Sequence, residues 1–583
     1  MKNNSDRPLF QPLPMSRRDM EAYGWSEIDI LLVTGDAYID HPSFGTALIG
    51  RVLVSEGYRV GVVAQPRWDT TDDICAMGRP RLFAGVTSGA LDSMLAHYTA
   101  FRKLRHGDAF TPGNRHGARP NRASLVYTGL LRQAFSGLPV VLGGVEASMR
   151  RASHYDFWSD KLRRSILLDS KADLLVYGMG ERAVLEIARR LSSLPAGSPD
   201  QQAVLRGIPG TVFSLTGRTK ESAADLIPSP DKICTLPSHE DILASPAALM
   251  TATLTMEEVL HQGRKWMVQL SGAQEVYFTP PAAPMNEEEM DRIYALPFTR
   301  RPHPVYKERI PAADMIQFSI TAHRGCAAGC TFCSITLHQG RQIQSRSRNS
   351  IVAEAASLTK HPDWKGSISD VGGPTANMWG AYCADDPSSC RRPDCLYPRR
   401  CPHFKCDEAG LVGMLQEVAA LEGVRHLRVS SGVRYDMSRE NTLFMRTLIS
   451  DFVGGQLKVA PEHSEDRVLA LMRKPSLSRF EEFLALFRRE SQRAGKEQYV
   501  VPYLISAFPG CTAGDMRKLA AWLKERNWSP QQLQCFIPTP GTVATAMFYA
   551  GIDTKMRPIP VARTDRERII QHQILMPGGG KKK

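Results

Sequence analysis

The sequence predicts an α/β protein made of an N-terminal doubly wound parallel sheet and a C-terminal partial or full (β/α) barrel. Between about residues 25 and 215, apolar runs end in glycine and are followed by helical stretches, which is the pattern of a doubly wound sheet. From residue 313, a second series alternates predicted strands and helices. The loop after the first strand of that series carries three closely spaced cysteines.

The N-terminal sheet is predicted from repeated strand–glycine–helix segments. "IDILLVTGDAY" is an apolar run closed by a turn, as in a strand buried on both faces, and "LPVVLGGVEAS" and "ADLLVYGMGERAVLEIARRL" repeat the pattern. Ligands of such sheets bind beyond the carboxyl ends of the strands, so we expect Asp36 and Glu146 to contact a ligand, near Gly35, Gly144 and Gly178. Close backbone packing explains these glycines equally well, and the dinucleotide pattern GxGxxG is absent.

The barrel is predicted from six successive strand segments. They are "MIQFSITAHRG", "GSISDVGGPTA", "VRHLRVSSGVRYD", "GGQLKVAPEHS", "QYVVPYLISAFPG" and "LQCFIPTPGT". Helical stretches lie between them, as right-handed crossovers between parallel strands require. The expected divisions are an N-terminal extension (1–24), the sheet domain (25–215), a connecting subdomain and linker (216–312), the barrel (313–548) with a Cys-rich insertion (376–408), and a C-terminal tail (549–583).

Composition and charge limit the class of protein. The chain has 583 residues, 43% hydrophobic and 23% charged, which is typical of a globular protein. It has no run of 18 apolar residues and no apolar segment at its polar N-terminus, so we expect a cytoplasmic protein without a membrane partner. Lys and Arg exceed Asp and Glu by 73 to 60, a balance of +13 that fits either a nucleic-acid partner or a solvated basic surface.

The three clustered cysteines predict a metal cofactor with an open position. Cys326, Cys330 and Cys333 are spaced C-x3-C-x2-C at the end of the first predicted barrel strand, where barrel active sites lie. A closed zinc site needs four ligands and a disulfide needs two. Three thiolates on a [4Fe–4S] cluster leave the fourth iron open for another ligand. A three-Cys zinc site is the alternative.

The motif, with Phe332 before the last cysteine, resembles that of the radical S-adenosylmethionine (SAM) superfamily. "VTGDAYIDHPSFG", "LGGVEASMRR", "SDVGGPTANM", "SSGVRYD", "KVAPEHSE" and "PYLISAFPG" resemble the YgiQ family of uncharacterised radical SAM proteins, over roughly residues 25–550. The resemblance implies a [4Fe–4S] cluster, SAM, and reductive cleavage of SAM to a 5′-deoxyadenosyl radical. It also implies a reducing partner such as flavodoxin or ferredoxin, but no particular substrate.

The same resemblance implies roles for individual residues. Cys326, Cys330 and Cys333 match the cluster ligands, and Phe332 matches the aromatic residue beside the adenine. Gly372 and Gly373 match the first two residues of the superfamily's Gly-Gly-Glu, whose carbonyls accept from the methionyl ammonium, and Pro374 replaces the glutamate. Three further residues lie at the ends of later barrel strands, and we expect them to contact the ribose or the methionyl carboxylate: Ser430, Ser431 and Glu462. The alternative is that they cap the strand ends through hydrogen bonds within the protein.

A second cysteine group lies in the insertion, together with His403. Its members are Cys383, Cys390, Cys395, Cys401 and Cys406. We expect a second cluster or a zinc ion on the first four, with free or disulfide-paired thiols as the alternative. The segment also contains four residues suited to an anionic substrate, Arg391, Arg392, Arg399 and Arg400.

Alternatives to a radical SAM enzyme of unknown reaction remain open. One is a non-catalytic sensor that binds the cluster and SAM. The N-terminal sheet resembles a cobalamin-binding domain, which implies a cobalamin-dependent methyltransferase, but the ligand pattern Asp-x-His-x-x-Gly is absent because Asp40 and His41 are adjacent. "FIPTPGT" resembles a motif of RNA-modifying methylthiotransferases, although the flanking domains of that group are missing.

Overall fold

The structure is a computed structural model that describes residues 11–195, 197–221, 223–437, 439, 442–530 and 532–576. The described residues form two compact units. The sheet unit takes the residues up to Thr99, then Lys103–Ala283 and Arg292–Gln317. The barrel unit takes Ala100–Arg102, Pro284–Asp291 and the residues from Phe318 onward. The beginning of the predicted extension, 1–10, and the end of the predicted tail, 577–583, lie outside the described residues.

The sheet unit is organised around one mostly parallel sheet. Its strands, with one separate hairpin (β5 and β6), are β1 (Ile30–Thr34), β2 (Val60–Ala64), β3 (Phe83–Thr87), β4 (Val140–Leu142), β5 (His154–Asp156), β6 (Lys161–Arg163), β7 (Leu174–Val176), β8 (Thr211–Leu215), β9 (Ile233–Thr235), β10 (Trp266–Ser271) and β11 (Gln274–Phe278). Nine of these described strands form the sheet, in the order β2-β1-β3-β4-β7-β8-β11-β10-β9. The first five in that order are parallel.

The apolar runs of the sequence form strands that are buried on both faces of the sheet. In β1, Ile30 and Leu32 pack in one core, and Leu31 and Val33 pack in the core on the opposite face. This alternation follows from the two-residue period of a strand. The predicted fold class is confirmed for this part of the chain.

The sheet continues beyond the boundary predicted at residue 215. β9, β10 and β11 come from the segment that we expected to be a connecting subdomain. β8 pairs antiparallel with β7 of the parallel part, and β11 pairs antiparallel with β8. Proline-rich stretches at both ends of that segment concealed its strands from the sequence analysis. The helices before residue 317 are Arg17–Ala22, Gly45–Ser55, Asp72–Cys75, Ser93–His97, Ala123–Ala134, Gly144–Met149, Ile166–Ser170, Glu181–Ser192, Gln201–Val204, Gly217–Glu221, His239–Ala244, Pro246–Gln262, Glu287–Tyr294 and Pro311–Ile316.

The barrel unit contains a strand in each of the six predicted segments. Its strands are β12 (Ser319–Thr321), β13 (His323–Arg324), β14 (Gln344–Ser345), β15 (Ser367–Ile368), β16 (Asp370–Gly372), β17 (Tyr382–Cys383), β18 (Phe404–Lys405), β19 (His426–Leu427), β20 (Gln456–Glu462), β21 (Tyr499–Ser506) and β22 (Gln532–Cys535). Parallel pairs join β12 to β16, β15 to β19, and β20 to β21 to β22. Within the described part of the chain, β22 does not pair with β12, which makes this a partial barrel.

Helices alternate with these strands. They are Ile335–Gln339, Arg348–Leu358, Glu408–Ala419, Thr442–Thr447, Asp466–Met472, Leu477–Arg493, Ala513–Glu525, Val543–Ala550 and Asp565–Leu575. The last of them lies in the segment 549–583, which we expected to be a C-terminal tail. It packs against Ala513–Glu525, and its fully buried Arg568 donates a hydrogen bond to the carbonyl of Phe536. Part of the predicted tail therefore belongs to the barrel unit.

Candidate functional site

The three cysteines of the motif lie on one loop between β13 and the helix Ile335–Gln339. The start of the loop is hydrogen-bonded to the end of the helix that follows it. The Cys326 N–H donates to the Gly340 carbonyl, and the Gly325 N–H donates to Gln339 Oε1. Gly325 has a φ of +84°, and a Cβ there would lie 2.2 Å from the Gln342 carbonyl oxygen. Only glycine fits this close approach, so the residue before Cys326 fixes the start of the loop.

The Cys-rich insertion packs directly on the cysteine loop. Asp394 is fully buried, and its Oδ2 accepts the Gly329 N–H at 2.7 Å. Its Oδ1 accepts the N–H groups of Leu396 and Tyr397 at 2.6 and 2.9 Å. The Cys395 N–H donates to the Ala327 carbonyl. One carboxylate therefore ties a turn of the insertion to the middle of the cysteine loop.

The end of the helix Asp466–Met472 supports the other side of the loop. The Thr331 N–H donates to the Met472 carbonyl at 3.2 Å, and Thr331 Oγ1 donates to the Leu471 carbonyl at 2.9 Å. Arg473, which ends that helix in the left-handed conformation, donates to the Gly329 carbonyl at 3.1 Å. The loop is thus held by three segments that are far apart in sequence.

Burial affects the protonation of two thiols on the loop. Burial, together with a smaller effect of the neighbouring thiols of the motif, raises the pKa of Cys326 to about 11 and that of Cys333 to about 12. All three thiols of the motif are free of disulfides. Without a metal, Cys326 and Cys333 hold their protons at neutral pH. Binding a metal cluster must therefore displace those protons.

The two glycines of the "GGP" segment lie where other atoms come unusually near the backbone. A Cβ on Gly372 would be 2.5 Å from Ser431 Oγ, and one on Gly373 would be 2.6 Å from the Cε1 atom of His323. His323 is fully buried beside the start of the cysteine loop. The structure therefore places the "GGP" turn, the third-strand serines and the cysteine loop at the same end of the barrel strands.

The two serines predicted to contact the cofactor have hydrogen-bond partners within the protein. Ser430 Oγ donates to the Ser369 carbonyl at 2.8 Å, and Ser431 Oγ donates to Asp370. Asp370 also accepts the backbone N–H groups of both serines at 2.7 and 3.1 Å. These bonds are the strand-end capping that the sequence analysis held as the alternative. Asp370 itself was missed, although its position at the end of a predicted strand is a signal for such a role.

Glu462 lies near Cys333 of the cysteine loop, and Phe332 is part of that loop. Glu462 is buried with a φ of +70°, a conformation that residues other than glycine adopt at a cost, and its carboxylate lies 3.8 Å from Lys474 Nζ. Burial raises the pKa of Glu462, and Glu462 in turn contributes to the raised pKa of Cys333. The Phe332 ring packs edge-to-face on Phe508, with the ring centroids 6.3 Å apart.

The second cysteine group divides into two parts. Cys383 is exposed in the β17–β18 hairpin, and Cys390 is half-buried. The other three share one apolar cluster with Cys326 and Cys330, and they are Cys395, Cys401 and Cys406. No group of three or more His, Cys, Asp or Glu side chains among the described residues, in the insertion or in the motif, is arranged to hold a metal ion.

Several basic side chains in and around the insertion bind its own carbonyl groups. Arg392 donates to the carbonyls of Asp394, Tyr397 and Arg399. Arg400 donates to the Phe404 carbonyl and lies over its ring. Two of the four arginines expected to meet an anionic substrate therefore hold the insertion together.

The polar residues expected at the strand ends of the sheet unit have internal partners. Asp36 pairs with the fully buried Arg119 at 2.8 Å and accepts the Ala90 N–H at 2.6 Å. Glu146 accepts the Ser93 N–H at 2.8 Å. His41 is buried, with Nε2 3.0 Å from Arg300 Nη1. These side chains hold neighbouring segments of the unit together, where the sequence analysis expected ligand contacts for Asp36 and Glu146.

The strand-end glycines of the sheet unit are explained by close packing. A Cβ on Gly35 would lie 2.3 Å from the Ser88 carbonyl oxygen, and one on Gly144 would lie 2.3 Å from Thr87 Oγ1. Gly144 also has a φ of +82°. The close approach of a neighbouring segment therefore favours glycine at both positions.

The chain matches a family model described as Radical SAM N-terminal over residues 12–319. A UPF0313 protein of Geobacter sulfurreducens is 48% identical over 569 residues, which cover 97% of this chain and 92% of the relative. The chain belongs to the UPF0313 family of radical SAM proteins. A UPF0313 protein of Methanosarcina acetivorans is 43% identical, and the aligned residues cover 98% of this chain and 79% of the relative. The resemblance to the YgiQ family is confirmed.

A solved structure has a similar fold. The radical SAM methyltransferase TsrM from Kitasatospora setae, with cobalamin and a [4Fe-4S] cluster bound, gives a TM-score of 0.50 at 15% identity, covering 88% of this chain and 73% of that one. At this identity the similarity concerns the fold alone. Family membership makes this UPF0313 protein a radical SAM enzyme, whose cofactors are a [4Fe–4S] cluster and SAM. Among the described residues, no helix is long and apolar enough to cross a membrane.

Proposed function

We propose that Cys326, Cys330 and Cys333 hold the [4Fe–4S] cluster and that the protein cleaves SAM reductively to act on a substrate by radical chemistry. One observation carries the proposal: three thiols with the spacing C-x3-C-x2-C lie on one loop at the carboxyl end of the first barrel strand. When bound, the cluster supplies the electron that cleaves SAM to methionine and a 5′-deoxyadenosyl radical. A flavodoxin or ferredoxin is the proposed source of that electron.

The residues around the loop suit the binding of SAM. The carbonyl groups of the Gly372–Gly373 turn are acceptors for the methionyl ammonium. Glu462 adds a carboxylate at the end of β20. Phe332, held by Phe508, offers an apolar surface to the adenine. Ser430 and Ser431 act through Asp370, which their backbone and hydroxyl groups hold in place.

Replacing Cys326, Cys330 and Cys333 together with Ala is expected to remove the cluster and the cleavage of SAM. Anaerobically reconstituted wild-type protein should hold about four irons per chain at this site. The triple variant should lose those irons and the SAM-dependent change in the EPR signal, and should form no 5′-deoxyadenosine above background.

The control is the double variant Cys75→Ala/Cys234→Ala, which changes two half-buried thiols of the sheet unit. It should keep the cluster and the cleavage activity. Cleavage of SAM by the triple variant would refute the ligand assignment. A wild-type protein that binds the cluster and SAM but produces no 5′-deoxyadenosine under reducing conditions would favour the sensor instead.

We also propose a second metal, a zinc ion or another cluster, on the insertion. Five thiols within 24 residues motivate it, with Cys383, Cys390, Cys395 and Cys401 as the predicted ligands. The structure adds Cys406 as a competing ligand, because it shares a core with Cys395 and Cys401.

The triple variant tests this proposal, because it separates the two sites. Metal analysis should still find iron or zinc in it, and adding Cys395→Ser and Cys401→Ser should remove that metal. A triple variant that contains neither metal would contradict the second site.

A further inference from the structure

One guanidinium group lies against the thiols of the candidate site. Arg434 follows the third barrel strand and is buried, and its Nη1 donates to Cys330 Sγ at 3.6 Å. Its other nitrogens bind both oxygens of Asp436, with Nε 2.8 Å from Oδ1 and Nη2 2.6 Å from Oδ2. The guanidinium that donates to Cys330 is therefore also part of a bidentate ion pair with Asp436.

The backbone of Arg434 is held as firmly as its side chain. The Arg434 N–H donates to Asn377 Oδ1 at 2.9 Å, and Asn377 Nδ2 donates back to the Arg434 carbonyl at 3.1 Å. Asn377 is buried and lies three residues after Pro374 of the "GGP" turn. This reciprocal bond fixes the backbone of Arg434, and the two bonds to Asp436 orient its guanidinium beside Cys330.

A fixed charge beside a cluster ligand affects the energy of adding an electron. Hydrogen bonds to the cluster sulfurs and nearby charges set the reduction potentials of iron–sulfur proteins. A cation that donates to a ligand sulfur stabilises the reduced, more negative form, and an anion destabilises it. Arg434 and Asp436 therefore act in opposite directions, with Arg434 in direct contact with the sulfur.

We propose that the Arg434–Asp436 ion pair sets the reduction potential of the cluster, with Arg434 raising it through Cys330 and Asp436 lowering it. The proposal rests on the proposed function, in which Cys330 is a cluster ligand. Both are positioning residues that act through a sulfur atom. Neither one is required to touch SAM or the substrate.

The test compares the wild-type protein with two variants by EPR-monitored redox titration without SAM. Asp436→Asn keeps the donor to Cys330 and removes the opposing charge, so the equilibrium constant for reduction should rise at least tenfold, which is 59 mV for a one-electron couple. Arg434→Met combined with Asp436→Asn removes both charges and the donor without leaving a buried carboxylate alone. Its constant should fall at least tenfold below that of the wild type.

The matched control is Asp515→Asn, which changes the carboxylate of another Arg–Asp pair in the barrel unit, with Arg467 at 2.7 Å. Its potential should equal that of the wild type. Equal potentials for Asp436→Asn and the double variant, or a lower potential for Asp436→Asn than for the wild type, would overturn the proposal. If the double variant does not assemble a cluster, the direction of the Asp436→Asn shift decides. A wild-type protein without four irons on the motif would refute the proposed function instead.

Discussion

Asp394→Ala is expected to destabilise the cysteine loop and prevent stable binding of the cluster. The substitution leaves three N–H groups without their acceptor, those of Gly329, Leu396 and Tyr397. Each buried donor without a partner costs about 1–3 kcal/mol, so for three donors the loss is on the order of 3–9 kcal/mol. The iron content after anaerobic reconstitution should fall from about four per chain to below about one.

Limited trypsin digestion provides a second measurement that does not depend on iron. The insertion contains arginines at 391, 392, 399 and 400, and several of its arginine side chains are held by bonds to its own backbone. When Asp394 no longer ties this segment to Gly329, trypsin should cut it faster. Asp394→Asn should have an intermediate effect, because one amide oxygen replaces two acceptor atoms.

The control for Asp394 is Asp386→Ala in the same insertion. Asp386 is exposed, and its side chain accepts the Ser388 N–H in a surface turn. Its loss should change the stability by about 1 kcal/mol or less and leave the iron content unchanged. Wild-type iron content and trypsin resistance in Asp394→Ala would show that Asp394 does not hold the loop.

The sequence predicted the elements that carry the site but not the contacts that hold it. The three-cysteine spacing and the six apolar segments were visible because thiol spacing and strand periodicity are local features. Asp394, Arg434 and Arg473 lie about 65, 100 and 140 residues beyond the cysteine loop. Their sequence context shows only polar loop residues, and which loop each one reaches depends on the whole barrel.

The strand-end residues of the sheet unit show the same limitation. Asp36 and Glu146 stand where doubly wound sheets bind ligands, so the sequence favoured ligand contacts for them. Arg119, which pairs with Asp36, lies 83 residues further along the chain, in a stretch that also contains Arg115 and Arg122. A carboxylate with a distant internal partner cannot be distinguished from a ligand-binding one by local pattern.

Arg119→Leu is expected to destabilise the sheet unit, and more strongly at high pH than at low pH. Arg119 is fully buried and lies 2.8 Å from both Asp36 and Asp108. Removing one partner of a buried ion pair costs about 3–5 kcal/mol, because the remaining charges have lost their compensation. Urea unfolding, followed by tryptophan fluorescence, measures the loss of unfolding free energy. The control is Arg115→Leu, which removes an exposed ion pair with Glu308 and should lower the unfolding free energy by about 0.5 kcal/mol or less.

The pH dependence follows from the carboxyl group that Arg119 leaves behind. Burial raises the pKa of Asp36 from 3.8 to about 6, even though Arg119 lowers it. The folded protein therefore binds this proton more tightly than the unfolded chain, and the stability from Asp36 is lost as the pH rises through about 6. Without Arg119 the pKa rises further, so at pH 5 the carboxyl is neutral and the variant loses less stability than at pH 8. An equal loss at both pH values would show that Arg119 does not stabilise the ionised form of Asp36.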